Sequence, residues 1–504
     1  MRKYFFLFLI LALMVFAVTC TDNDDDDNDD QVDDDDDDAT PDDDDDDTYD
    51  DDTDDDDTGD DDTVDDDTAD DDTVDDDTTD DDTGDDDTVT PHIKDDLGRE
   101  MIIHATNYMG LEYGGFNHTQ EDYDRIADWG FTHVRLPISW RYMEPEPGVW
   151  EDDYLVNVVL PDLDMAEAAG LQVIIDMHQW QWCSSFGGNG SPDWACEGLY
   201  PENTMGMIIF AADFWSGELH EHWAQAWDYT WQYTTGHPAV FAYDLFNEPW
   251  AGVFSVMPSF DMDVLQPFYE DLIATLRTYD EDVWAGVEPQ FTRDFLPTFL
   301  SPIDDPKVLY MPHNYTCGTG FSTVGYWCGA AWMAHDKRVL DRQRRKLRMP
   351  TIIGEWGIAS CVDGVEDFMR DATTGHDRWA LSESVWCYHR DDCGWGLLDS
   401  AGEEKDYYLD YLIRPYPRAV AGHIESYGFD FDTKVFTLTY HDTEEASGDT
   451  LIFVPERQYP DEFNLTSSDP NGTWSSNYDA VTEVVTYTAD PNSDTHTITI
   501  SPQR

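Results

Sequence analysis

The chain has 504 residues, a formal net charge of −86 and an aromatic fraction of 14%. This length is sufficient for a barrel-sized domain and a smaller one, and the aromatic content is typical of a folded protein. Repulsion by so many acidic groups argues against nucleic acids and anionic membrane surfaces as partners.

The first element in chain order is predicted to be an export signal, residues 1–20. Residues 1–19, MRKYFFLFLILALMVFAVT, join a short basic start to an apolar run too short for a membrane span. Cys20 follows, and the arrangement resembles a bacterial lipoprotein signal, whose cysteine becomes lipidated. Because Ala17 to Thr19 depart from that pattern, ordinary signal cleavage stays open. We expect a protein that is lipid-anchored at the bacterial cell surface or outer membrane, or otherwise secreted.

Residues 21–92 are predicted to form a disordered linker rich in Asp and Thr. Residues 21–90 contain 44 Asp and no Glu, Lys or Arg, and a DDDTx unit repeats seven times between residues 55 and 89. Such a segment has no residues that form a core, and its charges repel one another. We interpret it as an extended stalk, with calcium binding by the aspartates as the alternative.

Residues 93–414 show a different pattern, in which apolar runs of strand length alternate with stretches that suit helices. One such helix is predicted after Thr119, which forms a capping-box pattern with Asp122, and Gly130 can end it. Near-continuous apolar strands alternating with helices are typical of a parallel sheet, and eight of them indicate a (β/α)8 TIM barrel. The eight predicted strands are 101–108, 133–140, 172–179, 240–249, 282–290, 308–315, 351–357 and 382–390.

Residues 415–504 change pattern again, to short runs in which apolar and polar residues alternate. Asp, Asn, Gly and Pro separate the runs, which predicts a small C-terminal antiparallel β-sandwich. Its predicted strands are 433–441, 450–456, 481–490 and 495–500.

The ends of the barrel runs carry polar and ionisable residues. Since the carboxyl ends of barrel strands converge on one site, we expect these side chains to meet there. They are Asn107, Arg135, His178, Asn247, Glu248, Glu288, His313, Tyr315, Glu355 and Trp386.

Glu248 and Glu355 end the fourth and seventh runs, and two facing carboxyl groups are what glycoside hydrolysis needs. One donates a proton to the departing oxygen, and the other captures the sugar carbon. An isolated Glu at a strand end is more often part of a loop salt bridge, so the hypothesis depends on the pair and its neighbours. For Glu288, a structural or supporting role is the favoured interpretation.

The motifs LFNEPW and IIGEWG, together with the Arg and His residues above, resemble the cellulase-like retaining enzymes of glycoside hydrolase family 5. This resemblance implies that Glu248 is the general acid/base and Glu355 the nucleophile. It assigns Asn247 to the 2-hydroxyl group of the sugar, Arg135 and Tyr315 to support of the nucleophile, and Trp386 to stacking under the sugar. It gives His178 and His313 roles in holding substrate or positioning the carboxyl groups.

Within that family, three features resemble endoglycoceramidases. They are DMHQ followed by SPDWAC, the run YDLFNEPWAG and the C-terminal β-sandwich. This resemblance implies a glycan or glycolipid substrate. The loop 321–333 is a candidate wall of a lipid groove, although it can equally be a packed loop. The segment after His178 departs from the family pattern. An endo-β-glucanase, a β-mannanase, a steryl-glucosidase and a non-catalytic surface carbohydrate-binding protein therefore remain as alternatives.

Eight cysteines fit an exported protein. Cys183 with Cys196, and Cys317 with Cys328, each bracket one loop and are candidate disulfides. Three further cysteines compete for one more bridge, namely Cys361, Cys387 and Cys393. The absence of a Cys-x-x-Cys pair argues against zinc, and we predict a monomer that needs neither a metal nor another cofactor for catalysis.

Overall fold

The structure is a computed structural model that describes residues 90–114, 118–255, 257–291 and 298–503. The predicted export signal, Cys20 and almost all of the Asp-rich segment lie outside the described residues. Among the helices of the described residues, none combines the length and the apolar character that crossing a membrane requires.

The strands and helices alternate over the first three hundred described residues, and strands dominate the rest. The strands are β1 (Ile93–Lys94), β2 (Glu100–Met101), β3 (His104–Tyr108), β4 (His133–Ile138), β5 (Gln172–Met177), β6 (Val240–Asp244), β7 (Trp284–Val287), β8 (Val308–Tyr310), β9 (Ile352–Trp356), β10 (Ser382–Tyr388), β11 (Tyr416–Val420), β12 (His423–Asp430), β13 (Val435–His441), β14 (Thr450–Phe453), β15 (Phe463–Ser467), β16 (Ser475–Asp479), β17 (Val484–Thr488) and β18 (Thr495–Pro502). The α-helices are α1 (Gln120–Asp128), α2 (Leu160–Ala168), α3 (Asp193–Cys196), α4 (Thr204–Ser216), α5 (Leu219–Thr234), α6 (Pro258–Phe260), α7 (Gln266–Leu276), α8 (Ala330–Leu347), α9 (Val365–Arg378) and α10 (Asp406–Leu412).

Strands β3 to β10 form one parallel eight-stranded sheet, in the order β8-β7-β6-β5-β4-β3-β10-β9. Its two outer strands meet through parallel bridges that join Tyr310 to Thr351 and His313 to Glu355, so the sheet closes into a barrel. Most residues of these strands are buried, as expected for a sheet covered on both faces. The (β/α)8 prediction is confirmed, and the predicted capping box of Thr119 and Asp122 begins α1.

The register of the barrel strands places the polar residues side by side. Asn107 lies opposite Arg135 in the β3–β4 pair, and Asp176 lies opposite Asp244 in the β5–β6 pair. Side chains at these positions point to the barrel interior at its carboxyl end, because strand residues alternate between the two faces. The fold therefore brings residues that are far apart in the chain into one layer.

The C-terminal part contains two antiparallel sheets, as the sandwich prediction requires, but one sheet begins far earlier in the chain. A six-stranded sheet has the order β1-β2-β11-β14-β17-β16, and a four-stranded sheet has the order β12-β13-β18-β15. The sequence places β1 and β2 in the barrel domain, with Met101 in the first barrel strand. Instead, Met101 pairs with Ala419 of β11. Ile93 of β1 also packs into the apolar cluster inside the barrel.

The barrel and the C-terminal sheets pack tightly against each other around Gly130. This glycine has a positive φ of 85°, and a Cβ atom there would lie 2.1 Å from the Phe453 ring of β14. The Tyr416 hydroxyl donates a hydrogen bond to the Gly130 carbonyl at 2.8 Å. Only glycine satisfies both the backbone conformation and the close approach.

Three disulfides cross-link the described residues. Cys183 pairs with Cys196 and Cys317 with Cys328, the two pairs that the spacing suggested. Cys361 pairs with Cys393, which leaves Cys387 buried as a free thiol. The third bridge links the loop after β9 to the loop after β10.

Replacing Arg414 with Leu is expected to lower the free energy of unfolding by about 3–5 kcal/mol. Arg414 is fully buried, and its Nη2 donates to Asp377 at 2.8 Å and to Glu383 at 3.0 Å. The substitution leaves both carboxylates buried without their cation. The control is Arg370→Leu, since Arg370 forms an exposed ion pair with Asp432 and is expected to contribute about 1 kcal/mol or less. If chemical denaturation showed the same loss of unfolding free energy in Arg414→Leu and Arg370→Leu, this expectation would be wrong.

Candidate active site

All ten residues predicted at the strand ends lie within or just beyond the carboxyl ends of the barrel strands. Their hydrogen bonds, ion pairs and ring contacts join them into one network around Arg135. The members that lie at or near the end of a strand, in chain order, are Asn107, Arg135, His178, Asn247, Glu248, Glu288, His313, Tyr315, Glu355 and Trp386.

Arg135 lies at the centre of this network and has no exposed surface. Its Nη1 donates to Glu355 Oε1 at 2.8 Å and to Asn107 Oδ1 at 2.9 Å. Its Nη2 donates to Asn247 Oδ1 at 2.9 Å and to Glu288 Oε1 at 3.0 Å. One guanidinium group therefore orients side chains from four different strand ends, which the planar fork of Arg permits and Lys does not.

Two buried aspartates complete the surroundings of Arg135, and the sequence analysis did not single them out. Arg135 Nε donates to Asp244 Oδ2 at 2.9 Å, and Nη2 lies 3.1 Å from Asp176 Oδ1. Burial raises the pKa of Asp244 to about 6. Asp176 precedes His178 by two residues, so strand alternation places both on the interior face. This two-residue spacing within a strand could have identified Asp176 from the sequence.

Asp176, Asp244 and Glu288 each present an oxygen within 4.8 Å of the others, a spacing that suits a metal ion. In this structure the Arg135 guanidinium group supplies the positive charge to the three carboxylates. A metal at this position would compete with Arg135 for the same oxygens.

Glu355 is the last residue but one of β9 and is 5% exposed. Besides the bond from Arg135, it accepts a hydrogen bond on Oε2 from the Tyr315 hydroxyl at 3.0 Å. His313 Nδ1 lies 3.5 Å from the same oxygen. Arg135, Tyr315 and His313 therefore surround this carboxylate and fix its orientation, as a positioned nucleophile requires.

Glu248 follows β6 and has an unusual backbone, with a φ of 45°. Its N–H donates to Glu288 Oε2 at 2.8 Å, and Gln179 Nε2 donates to its carbonyl at 2.9 Å. These bonds hold a conformation that non-glycine residues rarely adopt. Glu288 thus supports the site, as predicted, by fixing the backbone of Glu248.

The carboxyl groups of Glu248 and Glu355 face each other across a small gap. Both contact His313 Nδ1, at 3.0 Å for Glu248 Oε1 and 3.5 Å for Glu355 Oε2, and an oxygen of each lies within 4.8 Å of the other. Retaining glycosidases place their carboxyl groups about 5–5.5 Å apart, whereas inverting ones leave about 6.5–9.5 Å. The separation therefore fits glycoside hydrolysis with retention of configuration.

His313 and Glu288 form a buried pair, with Nε2 and Oε1 3.0 Å apart. Burial alone lowers the pKa of a histidine, but the charges of Glu288 and Glu355 outweigh it and raise the pKa of His313 well above its usual value. Burial raises the pKa of Glu288 as well, against the opposing charge of His313. The pair therefore retains a proton through neutral pH, which limits the negative charge of the site.

His178 and Trp386 form one side of the site. Their rings lie nearly parallel, with centroids 5.8 Å apart, and His178 Nδ1 lies 2.8 Å from Asp176 Oδ2. Trp386 is only partly buried, which leaves part of the indole available for a ligand. An aromatic face of this kind can stack on the apolar face of a sugar ring.

Asn247 is almost fully buried, and its amide group has defined partners. Its Oδ1 accepts from Arg135, and its Nδ2 donates to the Gln179 carbonyl at 2.8 Å. Gln179, which sequence reasoning did not identify, therefore fixes both Asn247 and the Glu248 backbone.

Comparison with known proteins supports the same assignment. Residues 97–391 match the family model described as cellulase (glycosyl hydrolase family 5), and residues 414–500 match the glycoside hydrolase family 5 C-terminal domain. The chain is 24% identical over 410 residues to endoglycoceramidase I of Rhodococcus hoagii, a match that covers 73% of this chain and 80% of the relative. It is 25% identical over 444 residues to an endoglycoceramidase of Hydra vulgaris, with 75% and 80% covered.

A solved structure of endo-glycoceramidase II from Rhodococcus sp., in complex with ganglioside GM3, is also similar. It is 26% identical, has a TM-score of 0.72, and is matched over 82% of this chain and 100% of its own. The matched family model spans more than half of the chain, including every predicted catalytic residue. The chain therefore belongs to glycoside hydrolase family 5.

Proposed function

We propose that this enzyme is a retaining endo-β-glycosidase that releases the intact glycan from a glycosphingolipid. The reaction type is supported by the two carboxyl groups of Glu248 and Glu355, which face each other within 4.8 Å beside Arg135 and His313. The choice of substrate is supported by similarity to endoglycoceramidases through both the barrel and the C-terminal domain.

The first step forms a covalent intermediate. The Glu355 carboxylate attacks the anomeric carbon while Glu248 gives its proton to the departing ceramide oxygen, so the glycosidic bond breaks and the lipid alcohol leaves. The positive charge of Arg135 and the Tyr315 hydroxyl hold Glu355 in its attacking orientation. The similar endo-glycoceramidase II from Rhodococcus sp. has also been solved as a lactosyl-enzyme intermediate, which supports this step.

The second step returns the enzyme to its starting state. Glu248 lost its proton in the first step and is now a carboxylate, so it can take a proton from water, whose oxygen attacks the anomeric carbon. The ester bond breaks, Glu355 regains its charge and the glycan leaves with its original configuration. His313 Nδ1 contacts both carboxyl groups and can hydrogen-bond whichever of them is charged.

Exposed apolar side chains on the segments that follow the barrel strands support a lipid aglycone. They lie in the segments after β5, β6 and β8, and connections at the carboxyl ends of barrel strands build the binding site. Trp327 lies in the loop that sequence analysis suggested as a groove wall, and Trp332, from the same stretch of sequence, lies in the first turn of α8. The group comprises Leu199, Val253, Phe254, Met257, Trp327 and Trp332.

Other activities of the family are the competing proposals. A sterylglucosidase of Cryptococcus neoformans has a TM-score of 0.68 but only 12% identity, so the likeness concerns the fold alone. Endo-β-glucanase and β-mannanase activities need an open cleft for sugars on both sides of the cut bond, and apolar walls disfavour sugars on the leaving side.

The test is product analysis on a substrate panel. The panel holds a ganglioside, lactosylceramide, a steryl glucoside, cello-oligosaccharides and mannan, with Glu355→Gln as the inactive control. We expect intact oligosaccharide and free ceramide from the first two substrates. Hydrolysis of cello-oligosaccharides or mannan without any release from ceramide would overturn the proposed substrate.

Replacing Tyr315 with Phe is expected to lower kcat by roughly 10- to 100-fold and to change KM little. The substitution removes a hydrogen bond to a charged carboxylate, worth about 1.5–3 kcal/mol. Tyr326→Phe is the matched control, because the Tyr326 hydroxyl bonds Asp371 at 2.7 Å outside this network. A Tyr315→Phe enzyme with unchanged kcat would show that this bond does not position Glu355.

We further propose that the enzyme is exported, anchored through Cys20 and monomeric, with the Asp-rich segment as a spacer. The apolar run before Cys20 and the three disulfides support an oxidising compartment outside the cytoplasm. In cell fractionation, Cys20→Ser should move the protein from the membrane fraction to the soluble fraction. Retention in the membrane fraction would contradict lipidation.

A further inference from the structure

A second cluster of ionisable side chains lies away from the active site, where the Asp-rich segment meets the folded body. His92 precedes β1, Glu100 lies in β2, and His423 begins β12. One donor atom of each lies within 4.8 Å of the other two. Three segments that are separate in the chain thus contribute one potential ligand each.

The three side chains approach one another closely in a position with little solvent access. His423 Nδ1 lies 2.7 Å from Glu100 Oε1, whereas His92 Nε2 is 3.8 Å from Glu100 Oε2, beyond hydrogen-bond distance. The His92 side chain is 4% exposed, and Glu100 Oε2 also accepts a hydrogen bond from the Ile424 N–H at 2.9 Å. Two imidazoles and a carboxylate held this close form a set of donor atoms that one metal ion can bridge.

We propose that His92, Glu100 and His423 bind one divalent transition-metal ion, with zinc as the fitting choice, and that the ion fastens the end of the Asp-rich segment to the C-terminal sheets. Two imidazoles and a carboxylate form a known zinc ligand set, and a water molecule completes the tetrahedron. Ligand atoms around zinc lie roughly 3.3 Å apart, given bonds of about 2.0–2.1 Å. The two separations from Glu100, 2.7 and 3.8 Å, therefore need adjustments of about 0.6 Å or less, and that between the two histidines about 1.5 Å or less.

Binding of the ion would replace the hydrogen bond between His423 Nδ1 and Glu100, and His423 would release its Nδ1 proton to solvent. Arg344, whose charge acts on His92, forms a 2.8 Å ion pair with Asp341, which offsets its repulsion of the ion.

The test measures zinc bound to the full-length protein after dialysis against a weak chelator, with and without added zinc. We expect one equivalent in the wild type, and its loss in His92→Ala and in His423→Ala. Oxygen ligands of the Asp-rich segment prefer harder cations, so zinc held there should be removed by the chelator. His237→Ala is the control, because His237 belongs to a more exposed group with Asp164 and Glu167.

Two further measurements decide the location and effect of the ion. Cobalt substituted for zinc should give a visible absorption band that disappears in His92→Ala. The metal-free variant and the metal-free wild type should unfold at the same temperature, which shows that the band is not lost through unfolding. Zinc should also slow tryptic cleavage after Lys94, which is 41% exposed beside the cluster. The proposal would be overturned if the wild type and His92→Ala retained equal amounts of zinc. It would also be overturned if only His237→Ala lost its zinc.

Discussion

Replacing Glu355 with Gln is expected to reduce kcat on a glycosphingolipid by about 10⁴-fold or more. An amide cannot form the ester intermediate, and the loss of a nucleophile removes an entire reaction path rather than one contact. Gln has nearly the same size, and its single side-chain oxygen can accept from Arg135 while its NH₂ group donates to the Tyr315 hydroxyl oxygen. The thermal midpoint should therefore change little, which separates lost chemistry from lost folding.

The same residue allows a more specific experiment. In Glu355→Gly, azide is expected to enter the vacated space and restore turnover on an activated substrate, with a glycosyl azide of inverted configuration as the product. A retained configuration would show that Glu355 is not the nucleophile. Residual activity of Glu355→Gln within tenfold of the wild type would contradict its role altogether.

Replacing Glu248 with Gln is expected to lower kcat on the natural substrate by about 10²- to 10⁴-fold, the usual contribution of a general acid. The ceramide alkoxide is a poor leaving group and needs the proton. A dinitrophenyl glycoside has a good leaving group, so its bond cleavage should be nearly as fast as in the wild type. Burst kinetics should then show rapid phenol release followed by slow turnover, because water lacks its base.

The comparison between the two substrates is the control for this prediction. An equal loss on both substrates would indicate that Glu248 positions the sugar rather than transferring a proton. For Glu248→Ala, azide should give a product with retained configuration, the opposite of the Glu355→Gly product. The two variants therefore distinguish the two carboxyl groups by the stereochemistry that each leaves behind.

The sequence was sufficient to predict the barrel and most of its active site. Parallel strands buried on both faces produce apolar runs, and polar residues at their ends stand out against them, as with Glu248 and Glu355. Asp176 and Asp244 escaped notice because they lie inside the predicted runs 172–179 and 240–249, and only the ends of those runs were searched for polar residues. Only the structure shows that Arg135 compensates them.

Features that depend on distant pairing were not predictable. Strands β1 and β2 have two residues each and join a sheet whose next strand is more than three hundred residues away. The strand Ser475–Asp479 is exposed at every position, so no apolar pattern marks it. The positive φ of Glu248 likewise follows from bonds to Glu288 and Gln179, which spacing along the chain does not reveal.

The most direct test of the two-carboxylate mechanism is to trap the covalent intermediate. A 2-deoxy-2-fluoro glycoside with a good leaving group slows both steps, and the slower release of the sugar lets the intermediate accumulate for peptide mass spectrometry. We predict a mass increase equal to one fluorosugar on the peptide that contains Glu355, with the ester at that residue. A label on any other residue, or complete hydrolysis with inverted configuration and no label, would contradict the mechanism.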